Sequence, residues 1–184
     1  MRVFCILPAF MLASAAGADC AALRSPYAAQ VHEADALYLP TPAPVVSALL
    51  RLAGVSAADV VFDLGSGDGR IPVAAARERG ARAIGIELDA RLVALARCNA
   101  RAAGVEDRVE FREQDLFDAD LREATVVTLF LFPELNRRLK AKLLAELRPG
   151  ARIVSHRFDL GDWPPDRSAQ SGGHPIHLWT VPAR

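Results

Sequence analysis

Residues Val60–Asp89 read VVFDLGSGDGRIPVAAARERGARAIGIELD, and the order of these residues decides the fold. An apolar run, Val60 to Leu64, enters three alternate glycines, Gly65, Gly67 and Gly69; a small-residue stretch, a second apolar run from Arg82 to Ile86 and the acids Glu87 and Asp89 follow. A strand that feeds a glycine turn and then a helix brings bare backbone and a helix N-terminus beside a ligand, because glycine turns tightly and permits close approach. Strand, helix and strand in succession predict a parallel sheet covered on both faces, an α/β fold.

The alternation continues outward. Further strands are expected at Val109–Arg112, Thr125–Phe132 and Arg152–Ser155, and helices at Asp89–Ala103 and Glu134–Arg148, with Gly80, Gly104 and Pro149-Gly150 as stops. The run TVVTLFLF from Thr125 lacks alternation, as a strand buried on both sides should. Upstream, Thr41 is a candidate N-cap with Pro42 at the first helical position; Val45, Val46, Leu49, Leu50 and Ala53 form one apolar face that ends at Gly54. After Ser155 only 29 residues remain (184 minus 155), too few for another strand-helix-strand unit with a closing strand. Residues 166–184, DRSAQSGGHPIHLWTVPAR, predict an antiparallel hairpin turning at Gly172-Gly173.

A chain of 184 residues with 52% hydrophobic composition suits one domain with a real core. The formal charge balances, 22 basic against 22 acidic residues, so no basic excess points to nucleic acid. The three cysteines, Cys5, Cys20 and Cys98, suggest no disulfide framework, and no Cys/His spacing suits zinc, so no metal is expected. Residues 1–18 read as a signal-peptide-like leader, with an Ala-x-Ala-like cleavage site after Ala18, or as an uncleaved membrane anchor. Residues 19–58 then form a lead-in segment with a helix, and residues 59–184 the ligand-binding domain.

The spacing around the glycines narrows the ligand. A dinucleotide fingerprint would be Gly-x-Gly-x-x-Gly. Here the third glycine comes one residue early, and Asp63 stands two before the first. No Gly-Lys-Ser/Thr follows, so the loop is not one for a nucleoside triphosphate. Glu87, at the end of the second strand, can accept both hydrogen bonds of a ribose diol. Asp115, at the end of the third, can accept from an exocyclic amine such as adenine N6. All converge at the carboxyl edge of the sheet, where an adenosine-containing ligand fits.

With Asp63-x-Gly65-x-Gly67-x-Gly69, Glu87 and Asp115 in place, residues from about Thr41 to Arg184 resemble the class I S-adenosylmethionine-dependent methyltransferases. The resemblance implies a Rossmann-like sheet, mostly parallel, with a C-terminal antiparallel hairpin, although the helix that normally precedes that hairpin is missing. It implies S-adenosyl-L-methionine as cofactor, S-adenosyl-L-homocysteine as product, and a cofactor-binding set of Asp63, Gly65, Ser66, Gly67, Gly69, Glu87, Asp115 and Leu116. YLPTP (Tyr38–Pro42), DLGSGDGRI, VVTLFLFP, KLLAELRPGARIVSHRF and DW followed by prolines resemble a small group of protein lysine methyltransferases. Members of that group modify the ATP synthase c subunit and the adenine nucleotide translocase. A lysine of a membrane protein is therefore the implied acceptor, with membrane association through the N-terminus. The leader reads as export or anchoring, while cofactor supply favours the cytoplasmic side.

Transfer to lysine needs a neutral amine aligned behind the methyl carbon; its reference pKa of about 10.4 must fall, or its proton must be taken. Phe132, Pro133 and Glu134 after the fourth strand and His156 with Arg157 after the fifth are the candidates. Phe132 and Trp163 could form an aromatic slot for the lysine stem and its cationic product. His156 reads equally as a structural histidine, Trp163 as a cap on the core, and Glu134 as an acid favoured in a helix's first turn. No Asn/Asp-Pro-Pro-Tyr/Phe motif follows the fourth strand, which argues against the common amino-methylating enzymes of adenine or glutamine. Three other readings stay open: a dinucleotide binder, a small-molecule methyltransferase, and a non-catalytic exported protein that retains the fold.

Overall fold

The computed structural model describes Cys20, Leu23 and residues 39–183; the expected leader and most of the lead-in lie outside them. In chain order the elements are α1 (Ala43–Leu52), β1 (Val60–Leu64), α2 (Arg70–Arg79), β2 (Arg82–Glu87), α3 (Ala90–Ala102), β3 (Val109–Glu113), β4 (Val126–Leu129), α4 (Pro133–Glu146), β5 (Arg152–His156), β6 (Arg167–Ser171) and β7 (His174–Thr180). The seven strands form one sheet in the order β3-β2-β1-β4-β5-β7-β6. The first five are mutually parallel, and β7 runs antiparallel to both β5 and β6. Chain order reverses between β1 and β4, and the crevice beyond the carboxyl ends of such neighbours is where open α/β sheets bind ligands.

Alternating side chains of the central strands supply two cores. On one face Val61, Ala83, Val126 and Val154 pack with Val45, Leu49 and Leu50 of α1 and Ile71 and Ala75 of α2. A smaller cluster joins α2 to α3 and to Phe111 of β3. On the other face Phe62, Ile84, Val127, Leu129 and Ile153 pack with Leu139 and Leu143 of α4, with Trp179 and with Leu160. Burying each of these aliphatic side chains contributes about 1.5–3 kcal/mol. No helix stands between β5 and β6, as expected. Trp179 fills that part of the core and donates its indole N–H to the Trp163 carbonyl at 2.8 Å. The hairpin turns at Gly172 and Gly173, both at positive φ, 55° and 80°, as a two-residue turn between twisted strands requires.

Three expectations need correction. β4 ends at Leu129, because Phe130 to Phe132 turn away toward the proline that opens α4. Thr41 does not cap α1: Pro42 is the N-cap, with no side-chain cap bond, and the Thr41 hydroxyl is spent elsewhere. The cysteine reading also fails, since Cys20 and Cys98 form a disulfide across a sequence separation of 78, with both residues buried. Spacing alone could not pair two cysteines brought together only when α3 packs. A cross-link over so long a loop stabilises by roughly 2–4 kcal/mol. Cys98→Ala is accordingly expected to lower the melting temperature of the oxidised protein by more than that of the dithiothreitol-treated protein, a comparison made by thermal melts with and without reductant.

Candidate active site

The loop after β1 is shaped by its own hydrogen bonds. The Gly65 and Ser66 amides both donate to the Ile86 carbonyl at 2.9 Å, and the Gly69 amide to the Ser66 carbonyl at 2.9 Å. The Gly67 amide donates to Glu87 Oε2 at 2.9 Å, and the Arg70 amide to Asp68 Oδ1 at 3.2 Å. Gly69 stands at φ 76° against the Phe111 ring and Ala96, so a side chain there would be both strained and blocked. These five amides are already engaged, three by main-chain carbonyls and two by carboxylates, whereas a phosphate cradle needs amides free for the ligand.

Carboxylates line the crevice instead. Asp63, at the end of β1, is buried and accepts from Thr128 Oγ1 at 2.6 Å. Burial, reinforced by the neighbouring Glu87 and Asp68 and opposed by the Thr128 hydrogen bond, pushes its carboxyl up to about 7. Glu87 is half-buried; its Oε1 accepts from the amides of Leu88 and Asp89 at 2.9 and 3.0 Å. With the Gly67 amide on Oε2, three of its roughly four lone-pair positions are taken. Beside it Leu88 is 70% exposed, an apolar surface that the motif reading missed.

The Gln114 amide donates to the Glu87 carbonyl at 3.0 Å, which holds the end of β3 against the end of β2. Asp115 follows; its Oδ1 accepts from the Phe117 amide at 2.9 Å and the side chain is exposed. Leu116 packs half-buried against the α4-side core. Ser66 Oγ is buried with no hydrogen-bond partner, close over Gly85. Thus Asp63, Gly65, Ser66, Gly67, Gly69, Glu87 and Asp115 gather along one sheet edge, and Leu116 sits behind them. The fit is to a ligand that donates hydrogen bonds and carries positive charge.

Across the crevice lie the residues after β4 and β5. A Cβ on Gly65 would come within 2.9 Å of Leu131 Cδ2, so the two loops touch. Phe132 is the N-cap of α4 and is 43% exposed; Pro133 begins the helix and Glu134 lies in its first turn. Glu134 pairs with Arg137, whose hydrogen bonding and charge hold the carboxyl below its ordinary range. His156 is almost completely enclosed, with both ring nitrogens engaged, Nδ1 by Thr41 Oγ1 and Nε2 by His174 Nδ1, each at 3.1 Å. Burial, then the charges of His174 and Arg157, lower its pKa to about 4. Arg157 holds φ 73°, the one non-glycine positive φ among the described residues, and its guanidinium lies 5.7 Å from the Phe158 ring centroid.

The aromatic neighbours differ from those expected. Phe132 faces Phe158 at 6.1 Å between centroids, and Phe158 faces Phe130 at 6.4 Å. Trp163 instead pairs with Trp179 at 6.4 Å and belongs to the core's edge. Phe130 and Phe158 carried no signal of their own, because only the crossover from β4 to β5 sets them side by side.

Comparison with known proteins agrees with this geometry. A family profile described as "ANTKMT methyltransferase domain" matches residues 63–167. The chain is similar to a protein-lysine N-methyltransferase of Saccharolobus islandicus (strain REY15A), 40% identical over 149 residues, which cover 78% of this chain and 92% of that one. It is similar to the adenine nucleotide translocase lysine N-methyltransferase of Mus musculus, 49% identical over 106 residues, covering 57% of this chain but 46% of the mouse protein; it thus spans about half of that relative's length. A crystal structure named as an RNA methyltransferase from Salinibacter ruber, in complex with S-adenosyl-L-homocysteine, superposes with a TM-score of 0.78 at 54% identity, covering 79% of this chain and 95% of that one. With the profile matched over more than half its length, the chain belongs to the ANTKMT methyltransferase domain family, on the fold of the class I S-adenosylmethionine-dependent methyltransferases.

Proposed function

We propose that the protein methylates a lysine side chain of a membrane protein, with S-adenosylmethionine as donor. One observation carries the donor: a glycine loop whose amides are already engaged, ringed by Asp63, Glu87 and Asp115. A cationic ligand bearing hydroxyls and an exocyclic amine suits carboxylate acceptors, and a pyrophosphate does not. Similarity to relatives named as lysine methyltransferases supports the acceptor.

When bound, S-adenosylmethionine supplies an electrophilic methyl group on a positively charged sulfur. The Asp63 carboxylate accepts from the cofactor's ammonium. Glu87 has one lone-pair position left on Oε2 for a ribose hydroxyl, and release of the Gly67 amide opens a second. The free Oδ2 of Asp115 accepts from the adenine amine, with Leu88 and Leu116 as apolar neighbours. On the far side Phe132 and Phe158, with Phe130 behind them, offer ring faces to the lysine stem and to its methylammonium product. The acceptor's ammonium would give up its proton to water, and the freed lone pair would take the methyl group while the S–C bonding pair stays with sulfur. Desolvation beside a positive sulfur favours the neutral amine. The ion pair of exposed Glu134 and the two engaged ring nitrogens of His156 favour solvent over either side chain as the base.

Glu134→Gln should therefore leave turnover within about threefold of wild type, since only a surface ion pair is lost. Phe132→Ala should raise the half-saturating acceptor concentration about tenfold, from the loss of a cation–π face and its apolar area, and leave S-adenosylhomocysteine affinity unchanged. Steady-state rates and calorimetric titration check both.

The function itself is tested by incubating the protein with radiolabelled S-adenosylmethionine and, separately, membrane protein, soluble protein and total RNA. Methyl-lysine in a membrane protein, located by mass spectrometry, is the expected result. Label confined to RNA, the acceptor named for the Salinibacter ruber relative, would overturn the lysine reading. Label in no fraction would leave a small-molecule acceptor or a non-catalytic binder.

A further inference from the structure

One chain of contacts, part-buried at Arg70 and buried at Thr41 and His156, runs from the donor side to the acceptor side. It begins at Asp68 in the glycine loop, which accepts from Arg70 Nε at 2.9 Å and from Arg70 Nη2 at 2.7 Å. Arg70 Nη1 then donates to the main-chain carbonyl of Thr41 at 2.9 Å. The Thr41 hydroxyl meets His156 Nδ1 at 3.1 Å, and the His156 ring lies against Phe130, 4.0 Å between centroids. His174 holds the other ring nitrogen at 3.1 Å. Thr41 is 3% exposed although Leu39, two residues before it, is 49% exposed. The chain therefore dives between the glycine loop and β5 at this one residue, then emerges into α1.

Two features mark the contact as more than helix capping. A threonine before a helix usually spends its hydroxyl on the helix's first amides, and this one does not. The partner is 115 residues distant in sequence and sits at the end of the strand beside β4. Either tautomer of His156 fills both nitrogens: if Thr41 donates to Nδ1, Nε2–H donates to His174, and in the other tautomer both directions reverse.

We propose that His156 is a positioning residue for methyl transfer: acting through Thr41, it fixes the aromatic end of β4 relative to the glycine loop, and so the line between the acceptor nitrogen and the methyl carbon. This rests on the methyltransferase reading above. In-line displacement depends steeply on alignment, and a misplacement of about 1 Å costs about 100-fold in rate. A rigid strut between the two half-sites supplies that alignment, whereas cofactor affinity depends on Asp63, Glu87 and Asp115, which lie outside the strut.

The test compares wild type with Thr41→Val, Thr41→Ser, His156→Asn, His174→Ala and the Thr41→Val/His156→Asn double variant. Rates are measured at saturating membrane extract and S-adenosylmethionine, alongside S-adenosylhomocysteine affinity by calorimetry and melting temperature. The expected result is a saturating rate lowered at least about tenfold in Thr41→Val and His156→Asn, with S-adenosylhomocysteine affinity within about threefold of wild type. Thr41→Ser should retain the rate, and the double variant should be no worse than the worse single one, as for two residues acting through one contact. A rate lost in His156→Asn and kept in Thr41→Val would overturn the proposal, because His156 would then act by itself. Affinity falling in parallel with rate would overturn it too, since the network would then merely hold the site together. If His156→Asn does not fold, the contrast between Thr41→Val and Thr41→Ser decides the matter. Wild type that binds S-adenosylhomocysteine but methylates nothing would reject both this proposal and the function beneath it.

Discussion

Asp63→Asn is expected to raise the melting temperature of the cofactor-free protein at pH 8 by about 5 °C and to weaken S-adenosylhomocysteine binding at least about 30-fold. The two effects have one source. Asp63 is fully buried, and burial with the nearby Glu87 and Asp68 carboxylates lifts its pKa to about 7 against the ordinary 3.8. Between those values the folded protein holds a proton that the unfolded chain has released. The stability this confers is complete below about 3.8 and is lost as pH rises through about 7. At pH 8 the folded protein bears the full cost of a buried carboxylate, on the order of 4 kcal/mol from the gap between the two values.

Asparagine removes the charge and still accepts from Thr128, so most of that cost disappears. Part of the gain is forfeited because the new amide needs a partner of its own. Function moves the other way. On the proposed reading the carboxylate is the countercharge for the cofactor's ammonium, and a charge-assisted hydrogen bond exceeds a neutral one by about 1–2 kcal/mol, more when buried. Wild-type affinity should thus climb as pH rises through about 7, and the variant should show no such climb. Melts and titrations across pH 5.5 to 8.5 separate the curves. A wild-type affinity flat over that range would remove Asp63 from the cofactor's site.

Glu87→Ala is expected to weaken S-adenosylhomocysteine binding by about 100-fold or more, the loss of about 3 kcal/mol in hydrogen bonds to a carboxylate. Unlike Asp63, this side chain also builds the site before any ligand arrives. Its two oxygens hold the amides of Gly67, Leu88 and Asp89, so truncation frees the glycine loop as well as removing the proposed acceptor for the ribose. Glu87→Gln keeps one acceptor oxygen and should fall between, near tenfold. Hydrogen exchange at the Gly67 amide separates the two roles: faster exchange is expected in Glu87→Ala, and in wild type the exchange should change on binding as the amide leaves the carboxylate. Equal affinity in wild type and Glu87→Ala would refute ribose binding there.

The sequence by itself determined the parallel sheet, its closing hairpin and the glycine-loop half of the candidate site. That half is local: Asp63 to Gly69 is one turn, and Glu87 and Asp115 sit at the ends of successive strands, β2 and β3, that pair next to β1 in turn. Period and glycine spacing suffice there, because hydrogen bonds between neighbouring strands fix which ends meet. The tertiary structure decided which residues gather across the crevice, where pattern had offered Phe132 with Trp163. Phe130, Phe132 and Phe158 meet only because β4 pairs with β5, and Trp163 is drawn off to Trp179 because the core lacks a helix there. Thr41 looked like a cap because capping is a local property. Its hydroxyl instead goes to His156, buried 115 residues away, since a polar group driven out of water must take the partner that packing brings to it. Cys20 and Cys98 meet for the same kind of reason. Contacts set by packing between distant segments leave no period in the chain, and so no trace that spacing could reveal.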